Sequence, residues 1–422
     1  MQVGERIRFD HNTELNELID TLAEFSETAE GERDGVTRLL YSEPWKAAQN
    51  FLARTMREAG LSVRFDKVGN LIGRLEGSDP SSPVILTGSH IDTVRNGGKL
   101  DGAYGIIGGI AALRALKETY GTPVHPLEVV SFCEEEGSRF PIAYWGSGNM
   151  TGQFDWRGGQ MVRDSEGVSL HAAMETSGFG REDQIDSVRS DLGAFVELHI
   201  EQGVILERMA KQIGIVEAIV GQRRYSVTLR GEANHAGTTP MNMRTDALAG
   251  AAELIVRLEQ LATRAAALVA TAGRLQAAPN IPNVIPGVVE FSLDIRHDNE
   301  RTLSWFCDYL FQEYEDIANR RGLALEVTPW LATTPVPMSR PLTERIEQIC
   351  GRLSLNHRRM FSGAGHDAQL FAGLCPTAMI FVPSKAGISH SPEEFTAPEQ
   401  LADGVSVLTA LLHELAYEEH ER

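Results

Sequence analysis

Cysteine is scarce in this chain, and its few cysteines are widely scattered. The four residues, Cys133, Cys307, Cys350 and Cys375, form no CxxC pair in a sequence of 422 residues. This scarcity argues against a thiolate zinc site and against a framework of disulfide bonds. We therefore predict a reducing, cytoplasmic location.

Positive charge and long apolar runs are also lacking. The formal net charge of -19 at pH 7 disfavours nucleic acid and anionic membrane surfaces as partners. No apolar run approaches the roughly 18 residues that a membrane span requires. The sequence that follows Met1 has no apolar core of a secretory signal, so none is predicted. These absences leave a small molecule as the expected partner.

The length of the chain and its pattern of apolar residues predict two domains. The domain formed by the two ends of the chain is predicted to be of the α/β class. Helix and strand signals alternate through the first third of the chain. We predict helices at 12–27, from Ser42 to near Gly60, and at 103–118. We predict strands at 63–65, 70–75, 84–87 and 127–133. An α/β domain formed by 1–212 and 331–422 follows from this alternation, with later elements at 342–353, 378–382 and 398–418.

The middle of the chain has a different pattern. Residues 288–296 alternate apolar and polar side chains, which is typical of an antiparallel strand with one buried face. Further strands are predicted at 214–220, 225–230 and 323–327, helices at 247–267 and 299–320, and a loop at 276–279. We therefore predict an inserted α+β domain over 213–330.

Five short segments together supply a set of metal ligands. They contain His90, Asp101, the triplet Glu134–Glu136, His199 and His390. Imidazole nitrogens and carboxylate oxygens suit zinc and manganese sites of hydrolases, and a two-metal site usually needs a bridging carboxylate. Asp101 is our candidate bridge because glycines surround it and His90 precedes it closely. Asp92 is placed to orient the His90 imidazole.

The three consecutive glutamates have two interpretations. They repel each other, so a cation or a proton must compensate their charge. One can bind metal while its neighbour accepts a proton from water. The alternative is a solvated helix start, where acidic residues are favourable. The glycine-rich stretch 97–109 matches no phosphate-binding motif, and close helix packing explains Gly105, Gly108 and Gly109 better. No GxSxG element supports serine catalysis.

The motifs as a set resemble a known family. The segments are Gly-Ser-His-Ile-Asp-Thr-Val, Asn-Gly-Gly-Lys-Leu-Asp-Gly, Glu-Glu-Glu-Gly-Ser-Arg-Phe, Glu-Leu-His-Ile-Glu-Gln-Gly, Asn-His-Ala-Gly-Thr-Thr-Pro-Met, Ser-Gly-Ala-Gly-His-Asp-Ala and Gly-Ile-Ser-His-Ser-Pro. They are similar to those of the M20-type metal-dependent amidohydrolases of the carbamoylase branch. Within this branch, Thr37–Ser42, Glu134–Phe140 and Val220–Tyr225 resemble the allantoate amidohydrolase subfamily most.

The resemblance implies a mixed-sheet di-metal catalytic domain with an inserted lid and dimerisation domain. It implies two divalent ions per subunit, Mn²⁺ or Zn²⁺. One ion is expected on His90 and His199, the other on Glu136 and His390, with Asp101 between them.

Further roles come from the same resemblance. Glu135 is expected to be the general base, and His235 to stabilise the oxyanion. The residues expected to contact substrate are Gln202, Asn283, Arg296 and His366. A guanidinium such as that of Arg296 can grip a carboxylate with two hydrogen bonds.

The implied reaction is hydrolysis of the ureido C–N bond of allantoate in purine catabolism. It gives ureidoglycine, ammonia and carbon dioxide. N-carbamoyl-L-amino acid hydrolase or β-ureidopropionase activity is the alternative with the same machinery. A metal-dependent peptidase and a non-catalytic ureide-binding protein are alternatives of other classes. The family's inserted domain also implies a homodimer.

Overall fold

A computed structural model describes residues 13–27 and 35–418. The chain forms two compact units. The first joins the residues up to Glu217 with those from Met338 onward, and the second is the continuous stretch Ala218–Pro337. These limits lie a few residues later than the 213 and 330 predicted for the inserted domain.

The described residues contain strands and helices in alternation over most of the chain. The strands are β1 (Ser62–Phe65), β2 (Leu71–Leu75), β3 (Val84–His90), β4 (Leu127–Phe132), β5 (Leu192–Ile200), β6 (Ile213–Ile219), β7 (Gly221–Arg230), β8 (Asn234–His235), β9 (Val269–Ala278), β10 (Val284–Ile285), β11 (Val288–His297), β12 (Ala324–Thr333), β13 (Val336–Pro337), β14 (His357–Ser362) and β15 (Thr377–Val382). The α-helices are α1 (Thr13–Ala23), α2 (Glu43–Glu58), α3 (Ala103–Tyr120), α4 (Trp145–Met150), α5 (Leu170–Thr176), α6 (Ile205–Arg208), α7 (Ala247–Arg264), α8 (Glu300–Arg321), α9 (Arg340–Arg352), α10 (Ala368–Phe371) and α11 (Pro398–Ala416).

The first unit contains a mixed sheet in the order β1-β2-β4-β3-β5-β15-β6, and β14 also pairs with β6. β3 runs parallel to β4 and β5, and β15 runs parallel to β5. The pairs β1–β2, β2–β4 and β6–β15 are antiparallel. Every residue of β3, β4 and β15 is buried, as expected of central strands covered on both faces. The predicted α/β class is confirmed.

Glycines allow α3 to lie close to the central strands. A Cβ atom at Gly105 would lie 2.8 Å from the Cβ of Ser89 and closer still to the carbonyl oxygen of Leu198. A Cβ atom at Gly109 would lie 2.8 Å from a methyl carbon of Val129. The glycines therefore serve close helix packing, as predicted from the sequence.

The helix α2 is fixed at both ends and is tied to the loop that follows β4. Ser42 Oγ accepts a hydrogen bond from the backbone N–H of Trp45, and Gly60 follows the helix with a φ of +76°. Both features were predicted. Inside the core, the indole N–H of Trp45 donates to the carbonyl oxygen of Cys133 at 2.9 Å. This bond anchors the segment that leads into the glutamate triplet.

The second unit contains an antiparallel sheet in the order β12-β7-β11-β9. Alternate residues of β11, Val289, Phe291, Leu293 and Ile295, are buried in a core to which α7 and α8 contribute. Apart from Val288, the other face of β11 carries polar side chains. The strict alternation predicted for this strand is confirmed, and so is the α+β character of the insertion.

Several strands were not predicted from the sequence, among them β5, β9 and β14. β5, which carries His199, was not predicted, because Gly193 and Ala194 are weak strand formers and Glu197 is a charged residue within a buried strand. Residues 276–279 were predicted as a loop, but Gln276 to Ala278 belong to β9. Their pairing with β11 outweighs the low strand propensity of the two alanines.

Several boundaries also differ. β3 continues to His90, so this histidine ends the strand instead of following it. α1 ends at Ala23, earlier than the predicted residue 27, and residue 12 lies outside the described residues.

Among the described residues, no helix combines the length and the apolar character needed to cross a membrane.

A buried ionic cluster links four segments of the first unit. The carboxylate of Glu128, in β4, is fully buried. One of its oxygens accepts hydrogen bonds from Arg64 at 2.8 Å and Arg74 at 3.0 Å, and the other accepts from Arg189 at 2.7 Å. Burial would raise the pKa of Glu128, but the guanidinium groups hold it below its usual value. The cluster joins β1, β2 and β4 to the segment before β5.

We predict that Glu128→Gln lowers the free energy of unfolding by about 3 kcal/mol, because it leaves partly buried guanidinium groups without their counter-charge. Urea unfolding of the full chain measures the change. The matched control is Glu76→Gln, which removes an exposed carboxylate from the same Arg74. Its expected cost is below about 1 kcal/mol. Equally small changes in both variants would contradict the prediction.

Candidate metal centre and active site

Three parallel strands bring predicted ligands to one edge of the first unit's sheet. His90 is the last residue of β3, and His199 lies one residue before the end of β5. The triplet Glu134–Glu136 follows β4 after Cys133. Because parallel strands end at the same edge, residues distant in sequence meet there.

Asp101 reaches this edge from the loop that leads into α3. The next residue, Gly102, has a φ of +63°, which favours glycine. A Cβ atom at Gly102 would lie 2.6 Å from the His90 ring. The glycine therefore lets the Asp101 loop lie directly against the imidazole.

His90, Asp101 and His199 form the first group of ligand atoms. Oδ1 of Asp101 lies 3.6 Å from Nε2 of His90 and 3.3 Å from Nε2 of His199. All three residues are buried, and their ligand atoms lie within 4.8 Å of one another. These separations suit a single ion held by all three.

Asp101, Glu136 and His390 form a second group. Oδ2 of Asp101 lies 3.0 Å from Nε2 of His390, which in turn lies 3.4 Å from Oε1 of Glu136. Their ligand atoms also fall within 4.8 Å of one another. The two oxygens of Asp101 therefore face different groups, which is the arrangement that a bridging carboxylate needs.

The hydrogen bonds of the two buried histidines fit metal binding. Nδ1 of His90 lies 3.0 Å from the carbonyl oxygen of Asp92, and Nδ1 of His199 lies 2.9 Å from the carbonyl oxygen of Ile200. A carbonyl oxygen only accepts, so each neutral ring carries its proton on Nδ1 and turns the lone pair of Nε2 toward Asp101. Nε2 of His199 is buried and has no hydrogen-bond partner among the described residues. A cation would satisfy this atom.

Burial and crowding shift the pKa values of the acidic groups. Burial, with added repulsion from Asp101, raises the pKa of Glu136 to about 7. Burial also raises the pKa of Glu135 well above its ordinary value, although His90 partly opposes this shift. Burial would raise the pKa of Asp101, but the positive charge of the neighbouring histidines, when protonated, outweighs burial and lowers it. This concentration of carboxylates is suited to divalent cations.

Asp92 fixes several parts of the site. Its carboxylate lies 3.3 Å from Nδ1 of His90. The same carboxylate accepts the backbone N–H of Glu135 at 2.9 Å and that of Glu136 at 3.1 Å. Asp92 therefore orients both the imidazole and the backbone of the glutamate segment.

Glu134 has a different environment from its two neighbours in the triplet. It is fully buried and accepts a hydrogen bond from the backbone N–H of Gly137. Burial, and then the charge of Asp92, raise its pKa well above the usual range. The triplet lies in a loop before α4, so the alternative of a solvated helix start is wrong.

Glu394 is a further buried carboxylate at the site that sequence reasoning missed. One oxygen accepts the backbone N–H of Leu100 at 2.9 Å and of Asp101 at 3.1 Å. The other accepts the hydroxyl of Ser389 at 2.6 Å. Its position four residues after His390 was the one available signal in the sequence.

Gln202 lies beside the second ligand group. Its backbone has a φ of +55°, and its N–H donates to Ser384 Oγ at 3.0 Å. The side-chain amide donates to Oδ2 of Asp101 at 3.0 Å and to the hydroxyl of Ser389 at 3.3 Å. The structure thus brings Gln202 to the ligands, and its contact with substrate stays a prediction.

His366 lies next to the first ligand group but is buried. Its Nε2 lies 2.8 Å from the hydroxyl of Ser362, and its ring packs edge-on against His199 with the ring centres 4.6 Å apart. Burial holds the pKa of His366 well below its usual value, and His199, when protonated, would lower it further. The ring is therefore neutral near pH 7, and its contact with substrate stays a prediction.

His235 and Asn283 lie in the second unit, on the paired strand β8 and just before β10. The backbone N–H of Ala236 donates to the carbonyl oxygen of Asn283 at 3.0 Å. Nδ1 of His235 accepts the backbone N–H of Gly237 at 3.0 Å. The neutral ring must therefore carry its proton on Nε2, so the exposed side chain presents an N–H donor.

Arg296, on β11, pairs with the carboxylate of Asp294. Its Nε and Nη2 donate to the two oxygens of Asp294 at 2.7 and 2.9 Å. Arg224 Nε donates to the same Asp294 carboxylate at 2.7 Å. A substrate carboxylate cannot take this edge of the Arg296 guanidinium without displacing Asp294. The contact of Arg296 with substrate stays a prediction.

Comparison with known proteins identifies the chain's relatives. Residues 86–414 match the model of peptidase family M20/M25/M40. The allantoate amidohydrolase of Bacillus subtilis (strain 168) is 47% identical, over 98% of this chain and 100% of that protein. The N-carbamoyl-L-amino-acid amidohydrolase of Pseudomonas sp. (strain NS671) is 41% identical, over 92% of this chain and 95% of that protein.

A solved structure has the same fold. The crystal structure of an amidase of the hydantoinase/carbamoylase family from Burkholderia multivorans superposes with a TM-score of 0.93 at 35% identity, over 98% of this chain and all of that chain. Family match, sequence identity and fold agree with the resemblance found in the motifs. The chain is therefore an enzyme that belongs to peptidase family M20/M25/M40.

Proposed function

We propose that this enzyme hydrolyses the ureido C–N bond of allantoate to give ureidoglycine, ammonia and carbon dioxide. The observation that carries the proposal is the pair of ligand groups that share Asp101 beside the buried Glu135. The substrate follows from the allantoate amidohydrolase that is 47% identical over nearly the whole chain. Such an enzyme serves purine catabolism.

The proposal includes two divalent ions, Mn²⁺ or Zn²⁺. His90, Asp101 and His199 would hold one ion, and Asp101, Glu136 and His390 would hold the other. When bound, such ions make a water molecule more acidic and polarise a carbonyl oxygen. Imidazole and carboxylate ligands suit both metals.

Glu135 is the proposed general base. Its carboxylate takes the proton of the attacking water and delivers it to the leaving nitrogen, after which the carbamate breaks down to ammonia and carbon dioxide. Two features of the chain support this role. Burial raises the pKa of Glu135, which makes its carboxylate a stronger base. The bond from its backbone N–H to Asp92 fixes its position.

His235 is the proposed donor to the oxyanion. The bond from Gly237 to Nδ1 places the ring proton on Nε2, and a preorganised donor stabilises charge that develops in the transition state. In this role the second unit serves as a lid, as the resemblance implies. We further propose that Gln202, Asn283, Arg296 and His366 contact the substrate.

A second candidate function is hydrolysis of N-carbamoyl-L-amino acids or of β-ureidopropionate. The 41% identity to an N-carbamoyl-L-amino-acid amidohydrolase favours it. The metal ligands do not separate the two substrates, because both carry the same carbamoyl group. The side chains around the remainder of the substrate must make the distinction.

We also propose that the enzyme is a cytoplasmic homodimer that associates through the second unit. The cysteines support the location, since all four are buried and free. Exposed apolar side chains on the second unit, among them Trp305 and Trp330, support an interface there. Sedimentation velocity is expected to give the mass of a dimer, and a monomer at all concentrations would contradict the proposal.

Metal removal and a substrate panel test the function. We expect the chelated full-length enzyme to release no ammonia, and activity to return with Mn²⁺ or Zn²⁺. The reloaded enzyme should release ammonia faster from allantoate than from N-carbamoyl amino acids, and should not cleave dipeptides. Preference for an N-carbamoyl amino acid would instead support the second candidate. Metal-independent binding of allantoate without turnover would indicate a ureide-binding protein.

Replacement of the base tests the role of Glu135. We expect Glu135→Gln to lower kcat by about 10²- to 10⁴-fold, because the amide cannot accept the proton of water. Mn²⁺ binding, measured by calorimetry, should be retained. The control is Glu393→Gln, which replaces an exposed glutamate and should keep normal turnover. Near-normal activity of Glu135→Gln would rule out this mechanism.

A further inference from the structure

We propose that Glu394 is a positioning residue that holds the two loops of the second ligand group and thereby sets the affinity for the second ion. The inference rests on the proposed two-ion centre and is independent of the substrate. Its basis is the set of contacts that Glu394 makes with residues nearly three hundred positions away.

The Glu394 carboxylate joins both loops. Its Oε1 accepts the backbone N–H groups of Leu100 and Asp101, so it fixes the chain at the shared ligand itself. Its Oε2 accepts the hydroxyl of Ser389, the residue before His390. Glu394 is 4% exposed, so these bonds are protected from competing water.

The sequence of the Asp101 loop accommodates this carboxylate. A Cβ atom at Gly98 would lie 2.5 Å from the Cβ of Glu394 and would overlap its carboxyl group. A side chain at position 98 would therefore expel the carboxylate. The glycine is required because Glu394 occupies the space that a side chain there would fill.

His390 depends on this anchor more than the other histidines do. The rings of His90 and His199 are fixed by hydrogen bonds from Nδ1 to backbone carbonyls. In the described part of the chain, His390 makes no such bond, and its side chain is 49% exposed. Its position therefore follows from its backbone, whose neighbour Ser389 is bonded to Glu394.

The expected effect is selective. Loss of Glu394 frees the Ser389–His390 segment. It also leaves the buried backbone N–H groups of Leu100 and Asp101 without their acceptor. Loss of a residue that orients a metal ligand typically weakens metal binding by about 10- to 100-fold. The second ion should be affected more strongly than the first, because His90 and His199 keep their own anchors.

The experiment is a Mn²⁺ titration of the chelated full-length enzyme. Isothermal calorimetry gives both binding constants, and electron paramagnetic resonance of free Mn²⁺ gives the stoichiometry. We expect Glu394→Ala to weaken the second binding step by at least about 10-fold and the first by less. Glu394→Gln should weaken the second binding step less than Glu394→Ala does, because its amide oxygen can still accept hydrogen bonds from both backbone N–H groups.

Two further variants separate positioning from folding. Gly98→Ala should reproduce the selective loss, because its methyl group expels a carboxylate that is still present in the chain. Glu393→Gln changes the exposed neighbouring carboxylate and should bind both ions as the unmodified chain does. Far-UV circular dichroism verifies that each variant is folded. If Glu394→Ala does not fold, Gly98→Ala and Glu394→Gln decide the question.

The results distinguish failure of this inference from failure of the proposed function. If the unmodified chain binds no Mn²⁺ or Zn²⁺, the two-ion centre is wrong, and the inference fails with it. If the unmodified chain binds two ions and folded Gly98→Ala and Glu394 variants bind both equally well, only the positioning role is wrong. Equal weakening of both steps would also overturn the selective role.

Discussion

The candidate site depends on the carboxylate of Asp101, which both ligand groups share. One oxygen faces His90 and His199, and the other faces His390. For Asp101 to be shared by both groups, the ends of β3, β4 and β5 and the loops that carry Asp101 and His390 must lie within a few ångströms of one another. The parallel β3, β4 and β5 supply the strand ends, and close packing of α3 against them brings the Asp101 loop to the same edge. The glycines of α3 thus help to position Asp101, because they allow α3 to pack closely against the strands.

A second constraint comes from the backbone of the ligand loops. Residues in loops have no sheet partners for their N–H groups, and buried N–H groups need acceptors. Asp92 provides them for Glu135 and Glu136, and Glu394 provides them for the Asp101 loop. Carboxylates outside the two ligand groups therefore fix the backbone that carries the proposed ligands. This division explains why the edge of the sheet holds more acidic residues than the two proposed ions would require.

The sequence was sufficient to predict the fold class and the ligand candidates, because the ligands follow apolar strands or lie in short motifs. It was not sufficient for Glu394, whose partners lie nearly three hundred residues away and whose local sequence is an ordinary acidic loop. β5 was missed for a similar reason, since the bonds of buried Glu197 to Ser89 and to the backbone of Ala368 offset its desolvation. Contacts between distant segments have no local signature.

The second unit shows a different limit of sequence reasoning. Arg296 was predicted to contact a substrate carboxylate, but the sequence did not show that Asp294 binds its Nε edge and also accepts a hydrogen bond from Arg224. A guanidinium held in this way is already oriented, so it loses less conformational entropy when a ligand binds. The two arginines and one aspartate also leave the cluster with a net positive charge. Since the proposed ions would polarise any carbamoyl group, preference among ureido substrates would have to arise from preorganised groups of this kind, apart from the proposed metal ligands.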